Sequence, residues 1–206
     1  MTGIIDYGVG NLFSLRSSFG ALGEEARVID APDAVCLADR LILPGVGAFG
    51  DAAEKLQKTG MAAAVKEAVG RGIPLMGICL GMQLLFERSF EYGEHEGLGL
   101  LKGEVRPISE RIPPELKIPQ MGWNALNIVN QSPILKNTRS GEYVYFVHSY
   151  SAVGCGDALL ATTEYGAELT ACVGEGRVFG CQFHPEKSGA VGLKILKAFC
   201  EMEAGI

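Results

Sequence analysis

Residues 73–83 read Ile-Pro-Leu-Met-Gly-Ile-Cys-Leu-Gly-Met-Gln, an apolar run that passes directly into Gly77-x-Cys79-x-Gly81. A strand without apolar/polar alternation is buried on both faces, which implies a parallel sheet covered by helices. The two glycines add a second constraint. A sharp strand-to-helix turn crowds backbone on both sides of its apex, and side chains at 77 and 81 would clash there. The apex residue is then Cys79, at a helix N-terminus, where orphan amides and the helix dipole favour the thiolate, the reactive form of sulfur. A core cysteine between packing glycines is the plainer alternative.

The rest of the first half supports the same architecture. Strands are expected over 3–7, 26–30, 40–43 and 73–78. Leu12, Leu15, Phe19 and Leu22 fall at helical spacing behind Asn11, a candidate cap. A helix is expected over 51–71, broken at Gly60, and another over 81–88. The second half changes style. Stretches 99–108, 123–129, 143–150, 158–163, 169–173 and 178–183 read as strands, some of them antiparallel because the links are too short for crossovers. Residues 112–119 form a Pro-rich loop, and a helix over 189–202 closes the chain. With 206 residues, no repeat and no linker, one α/β domain over 1–206 is expected.

Composition narrows the function classes. The chain has 18 Lys and Arg against 24 Asp and Glu, for a net charge of −6, and its cations are scattered. That argues against nucleic acid as a partner, since phosphate binding needs a basic face. The longest apolar stretch, 73–86, is too short to span a membrane and contains two glycines. The N-terminal Met-Thr-Gly-Ile-Ile-Asp has no basic leader, so a cytosolic location is expected. The six cysteines include no CxxC pair, which makes a structural zinc site improbable. Apart from Cys79 they read as small buried hydrophobes.

A second chemical motif lies near the end of the chain, at Gln182-Phe-His184-Pro-Glu186-Lys-Ser. In extended chain, residues i and i+2 share a face ~7 Å apart, and Pro185 holds the chain extended. Glu186 can then take one imidazole nitrogen of His184 and leave the other for a thiol, the logic of nucleophile, base and orienting acid. His95 and His148 lack a carboxylate at i+2. A third segment, Pro44-Gly-Val-Gly47-Ala-Phe-Gly50, matches GxGxxG after a strand. A dinucleotide site would want an acidic residue about 20 positions on, at the end of the next strand. Glu67, the nearest candidate, falls inside a predicted helix. The segment is better suited to presenting backbone amides to an oxyanion.

In their order along the chain, these three segments resemble the class I (triad) glutamine amidotransferases, with Cys79, His184 and Glu186 on that family's nucleophile, base and acid. Ile5-Asp-Tyr-Gly-Val-Gly-Asn-Leu, Met121-Gly-Trp-Asn124 and Tyr145-Phe-Val-His-Ser-Tyr150 are similar to the branch that supplies ammonia in histidine biosynthesis. Pro-Gly-Val-Gly, where other branches usually carry Pro-Gly-Gly-Pro, favours the same branch.

The resemblance implies a flavodoxin-like fold with a mostly parallel central sheet and additional antiparallel strands in the C-terminal half. It also implies glutamine hydrolysis without metal or organic cofactor. The amides of Leu80 and Val46 would hold the oxyanion, the second after a peptide flip at Gly45–Val46. Gly47, Gln83, Glu91, Ser149 and Tyr150 would bind glutamine, with a polar residue on the solvent face of its helix as the plainer alternative for Gln83. A chain of this length has no room for an ammonia acceptor, so the resemblance implies a separate (β/α)8-barrel cyclase docked over the site. Trp123, Tyr145 and Lys187 are the interface candidates, with core aromatics as the alternative for the first two. Service to a different synthase, such as that of pyridoxal phosphate, and a catalytically silent interaction subunit are the competing readings.

Overall fold

A computed structural model describes residues 1–202. Its strands are β1 (Thr2–Ile5), β2 (Ala26–Ile29), β3 (Arg40–Leu43), β4 (Leu75–Ile78), β5 (Arg88–Ser89), β6 (His95–Glu96), β7 (Glu104–Pro107), β8 (Gln120–Ile128), β9 (Tyr143–His148), β10 (Tyr150–Val153), β11 (Leu159–Glu164), β12 (Glu168–Glu175) and β13 (Val178–Cys181). Its α-helices are α1 (Leu12–Ala21), α2 (Pro32–Val35), α3 (Phe49–Lys58), α4 (Met61–Gly70), α5 (Leu80–Gln83) and α6 (Gly189–Cys200). The larger sheet runs β2-β1-β3-β4-β13-β12-β11-β8-β9, and a smaller one runs β10-β7-β5-β6.

The strands from β2 to β13 pair in parallel, and those from β13 to β9 antiparallel. The apolar runs explain the parallel half. Leu41, Leu43 and Leu75 point to one face, into a core with Val35 of α2, Phe49 and Leu56 of α3, and Met61 and Val65 of α4. Ile4, Ile42, Met76 and Ile78 point to the other, into a core with Leu15 and Phe19 of α1 and Ile195, Leu196 and Phe199 of α6. Both faces are covered, as the absence of alternation required. Removing the ring of wholly buried Phe19 or Phe199 would cost about 3–5 kcal/mol.

Local signals act as expected in places. Asn11 Oδ1 accepts from Ser14 N at 3.2 Å and starts α1. Gly60, at φ +77°, separates α3 from α4, a turn that an L side chain would resist.

Three expected elements are corrected. The helix over 81–88 is a single turn, Leu80–Gln83, because the following carbonyls bond elsewhere. Leu84 O accepts from Leu98 N at 2.8 Å, and Leu85 O accepts from Leu100 N and Leu101 N at 2.8 and 3.0 Å. For the same reason the strand over 99–108 shortens to Glu104–Pro107: the amides before it serve the end of α5. The strand over 143–150 breaks at Ser149, where the chain leaves β9 in one sheet and enters β10 in the other. The very short β5 and β6 carry no apolar run, so no periodicity marks them.

At the tips of β3 and β4 three glycines interlock. A Cβ on Gly81 would fall inside the Leu43 carbonyl oxygen. One on Gly77 would lie 2.5 Å from Gly81 O, and one on Gly45 would lie 2.8 Å from Gly81 N and 3.0 Å from the Tyr7 hydroxyl. Gly81→Ala is therefore expected to destabilise by more than about 4 kcal/mol. By contrast Gly20, near the end of α1 with open space around it, should accept Ala with a gain of about 0.5–1 kcal/mol. Thermal unfolding of both variants checks the pair. A Gly81→Ala protein that melts with the wild type would refute the interlock.

Candidate active site

The interlock sets the backbone of Cys79. At φ 55° and ψ −112° it is one of two described non-glycine residues with positive φ. Such conformations cost of order 1–3 kcal/mol and persist where the surroundings over-determine them. Here β4 enters from one side, α5 leaves from the other, and Cys79 N donates to Cys181 O of β13 at 2.7 Å. The thiol is thereby presented at the first turn of α5. Leu80 opens that helix, so its amide has no carbonyl partner within it.

β13 runs beside β4 and continues into His184-Pro-Glu186. His184 Nδ1 lies 2.8 Å from Glu186 Oε1, and the two side chains are only 4% and 2% exposed. The contact forms at i+2, but not through extended chain: Pro185–Lys187 is a 3-10 turn, closed by Lys187 N donating to His184 O at 3.0 Å, and the turn brings Glu186 back to the ring. Nε2, the other ring nitrogen, is buried and has no hydrogen-bond partner among the described residues. Burial alone would depress the His184 pKa. The Cys79 sulfur and then the Glu186 carboxylate outweigh it and raise the pKa to about 9. The backbone of His184 is held as well. His184 N donates to Tyr145 O at 2.9 Å, Ser188 Oγ donates to His184 O at 2.6 Å, and Tyr145 N donates to Ser188 Oγ at 2.9 Å.

Cys79 and His184 share a cavity of about 290 Å³, which is also lined by Val46, Gly47, Leu80, Gln83, Glu91, Ser149 and Tyr150. The structure therefore brings every expected oxyanion and glutamine-binding residue to the same hollow as the thiol. The volume sits at the small end of ligand pockets, ~300–1,000 Å³, and suits an amino acid better than a dinucleotide. Gln83 is buried, not on a solvent face. Its Nε2 donates to Tyr150 O and to Gln182 Oε1, each at 3.0 Å. Glu91 accepts from Phe49 N at 2.6 Å, at the first turn of α3. Burial raises its pKa; the Phe49 amide and His95 act against that, and Asp51 adds to it.

The interface candidates lie apart from the cavity but next to each other. Trp123 and Tyr145 are register partners on β8 and β9, with rings edge-to-face at 6.1 Å. Lys187 Nζ lies 6.0 Å from the Tyr145 ring centre. Trp123 is 52% exposed, so it is not a core aromatic, and Tyr145 is half-buried.

Sequence reasoning passed over three groups at the site. Tyr7 is buried and donates its hydroxyl to Pro44 O at 2.8 Å, anchoring the Gly-rich segment. Its pKa is raised by burial and by Cys79. His148 lines the cavity with Nδ1 2.8 Å from Tyr150 O. Burial lowers its pKa to about 4, opposed by that carbonyl and helped by His184, so it is neutral at pH 7. Gln182 is wholly buried between Gln83 and Cys79. For Gln182 a signal existed, a polar residue in the strand run that leads into His-Pro-Glu; for Tyr7 and His148 only the fold could supply it.

Comparison with known proteins agrees with the geometry. The family model for glutamine amidotransferase class-I matches residues 3–202. The imidazole glycerol phosphate synthase subunit HisH of Caldanaerobacter subterraneus subsp. tengcongensis is 51% identical, covering 98% of this chain and 98% of its own. The proteins of the same name from Wolinella succinogenes and Bacillus subtilis are 49% and 48% identical, covering 98% and 99% of this chain and 100% and 97% of theirs. Among solved structures, a crystal structure of a glutamine amidotransferase superposes with a TM-score of 0.76 at 21% identity, covering 97% of both chains.

The raised pKa of His184 has a measurable consequence. Stability contributed by its imidazolium is fully present below the unfolded pKa of about 6.5 and is lost as pH rises through about 9. Glu186→Gln removes one of the two anions, so the His184 titration should move toward lower pH and the alkaline loss of stability should begin earlier. NMR titration of the ring checks this. An unchanged midpoint would show that Glu186 does not hold the charge.

Proposed function

The chain belongs to the class-I glutamine amidotransferases, and from that premise we propose that it is the glutaminase subunit of an imidazole glycerol phosphate synthase. It hydrolyses glutamine to glutamate and ammonia and passes the ammonia to a (β/α)8-barrel cyclase on a separate chain. The cyclase joins it to a ribonucleotide, giving imidazole glycerol phosphate and an aminoimidazole carboxamide ribonucleotide in histidine biosynthesis. The observation that carries the chemistry is the left-handed Cys79 sharing one cavity with a His184 that is already bound to a buried Glu186. The pathway rests on full-length relatives at about half identity that carry that synthase subunit's name.

In this reading the imidazolium proton of His184 is the one given up by Cys79, and the resulting thiolate attacks the side-chain amide carbon of glutamine. The negative oxygen that forms accepts from Leu80 N and, after the Gly45–Val46 peptide turns, from Val46 N. His184 returns the proton to the leaving nitrogen, and ammonia departs. Water adds to the thioester with His184 as base, releasing glutamate and restoring the thiol. Glu91 faces the substrate ammonium, and Gly47, Gln83, Ser149 and Tyr150 fix the rest of the amino acid. No step calls for a metal or an organic cofactor.

The partner docks on the Trp123, Tyr145 and Lys187 face. Tyr145 O already accepts from His184 N, so a contact made on that side chain is one hydrogen bond from the base. Ammonia released into open water would be diluted and protonated, which is the physical reason for a docked acceptor. The pathway carries a cytoplasmic location with it. No helix among the described residues is long and apolar enough to cross a membrane.

Glutamate release tests the reading. It should rise strongly only when the cyclase and its ribonucleotide are both present, and Cys79→Ala should reduce it by at least about a thousandfold. If no rise occurs while a glutamine-derived diazoketone still labels Cys79, the triad stands and another synthase is the partner.

A further inference from the structure

Gln182 lies outside the set of residues that resemblance assigns to the site, yet it is wholly buried and reaches the reacting atom. Its orientation follows from bonding logic. Tyr150 O is a carbonyl and can only accept, so the Gln83 atom 3.0 Å from it must be the NH2. The same NH2 lies 3.0 Å from one terminal atom of Gln182, which must therefore be its oxygen. The remaining terminal atom of Gln182 is the NH2, and it lies 3.8 Å from Cys79 Sγ, within the reach of an N–H to sulfur. A carbonyl at one end of the chain thus fixes which face of the amide meets the sulfur at the other. The same carbonyl fixes His148, whose Nδ1 must be the protonated nitrogen to sit 2.8 Å from it.

Resting on the glutaminase reading, we propose that Gln182 is a catalytic residue, donating an Nε2–H to the Cys79 sulfur and stabilising it as a thiolate. The donor acts each time sulfur carries charge: before attack on the amide carbon, and again when the thioester is cleaved and the thiolate leaves. It is neutral and takes no proton, so His184 remains the only proton carrier. Two of its properties suit this. Gln182 is wholly buried, so no water competes for the N–H. Its oxygen is held by Gln83, so the amide cannot turn to present an acceptor that would repel the thiolate. Both Gln83 hydrogens are thereby engaged, and Gln83 offers a ligand only its Oε1 acceptor.

The test is the pH profile of Cys79 alkylation by iodoacetamide, followed on the Cys79 peptide by mass spectrometry, in wild type and Gln182→Met. Methionine keeps the length of the side chain and removes the donor. At pH 7 the labelling rate should fall by about tenfold, as expected for a lost hydrogen bond to a charged group, and the gap should close at alkaline pH where the thiol ionises regardless. A profile identical to wild type, or lowered by the same factor at every pH, would overturn the proposal, the latter marking a merely structural role. If Gln182→Met does not fold, the Gln182 side-chain amide proton in the wild-type chain supplies the answer by NMR. It should shift with the same pH midpoint as Cys79 alkylation, and a pH-independent resonance would overturn the proposal. Failure of the glutaminase reading would show separately, as a wild-type chain that releases no glutamate with partner and ligand while the alkylation profiles still differ.

Discussion

The site depends on how closely three backbone segments approach one another. Leu43–Gly45 at the end of β3, Gly77 at the end of β4 and Gly81 in α5 pack with no space for a single Cβ between them. That contact forces the turn at Cys79 and holds a strained residue that would otherwise relax. It also brings the Gly-rich segment within reach of the thiol, so the nucleophile and the proposed oxyanion donors are positioned by one feature. Tyr7 secures the arrangement from beneath through Pro44 O.

The second requirement is a set of buried charges that tolerate burial. Glu186 and His184 lie almost out of solvent, where an unpaired charge would be expensive. Each offsets the other, and the sulfur adds to the balance on the cavity side. His148, a few residues along β9, has no such partner and stays neutral. Two histidines beside one cavity thus hold opposite charge states, and the difference comes from the Cys79 sulfur and the Glu186 carboxylate, which both act on His184.

How far this was legible in the sequence follows from how local each signal is. Cys79, His184 and Glu186 were legible because a turn and an i+2 relation involve only adjacent residues, although the chain from Pro185 to Lys187 turns instead of running extended. The parallel strands were legible because burial on both faces leaves no alternation. Gln83 was placed at the site by resemblance and not by its local pattern, since its burial depends on Gln182 and Tyr150, about 100 and 67 positions distant. The break at Ser149 had no hydropathy mark, because β9 and β10 are both half-buried strands and only the choice of sheet differs. The overlong helix and overlong strand share one cause: Leu98 and Leu101 are buried in a loop whose amides serve the carbonyls that follow α5. His148 was set aside for lacking a carboxylate at i+2, a sound criterion for a base but not for a cavity wall.

Trp123 is the only tryptophan in the chain, and about half of its surface is open to solvent beside Tyr145 and Lys187. Indole emission from this protein therefore has one source, and that source stands on the face beside the loop that holds His184. Anything that covers the face changes the polarity around a single fluorophore, as does anything that separates β8 from β9. The molecule carries an intrinsic optical probe at the place where an incoming surface would first exclude water.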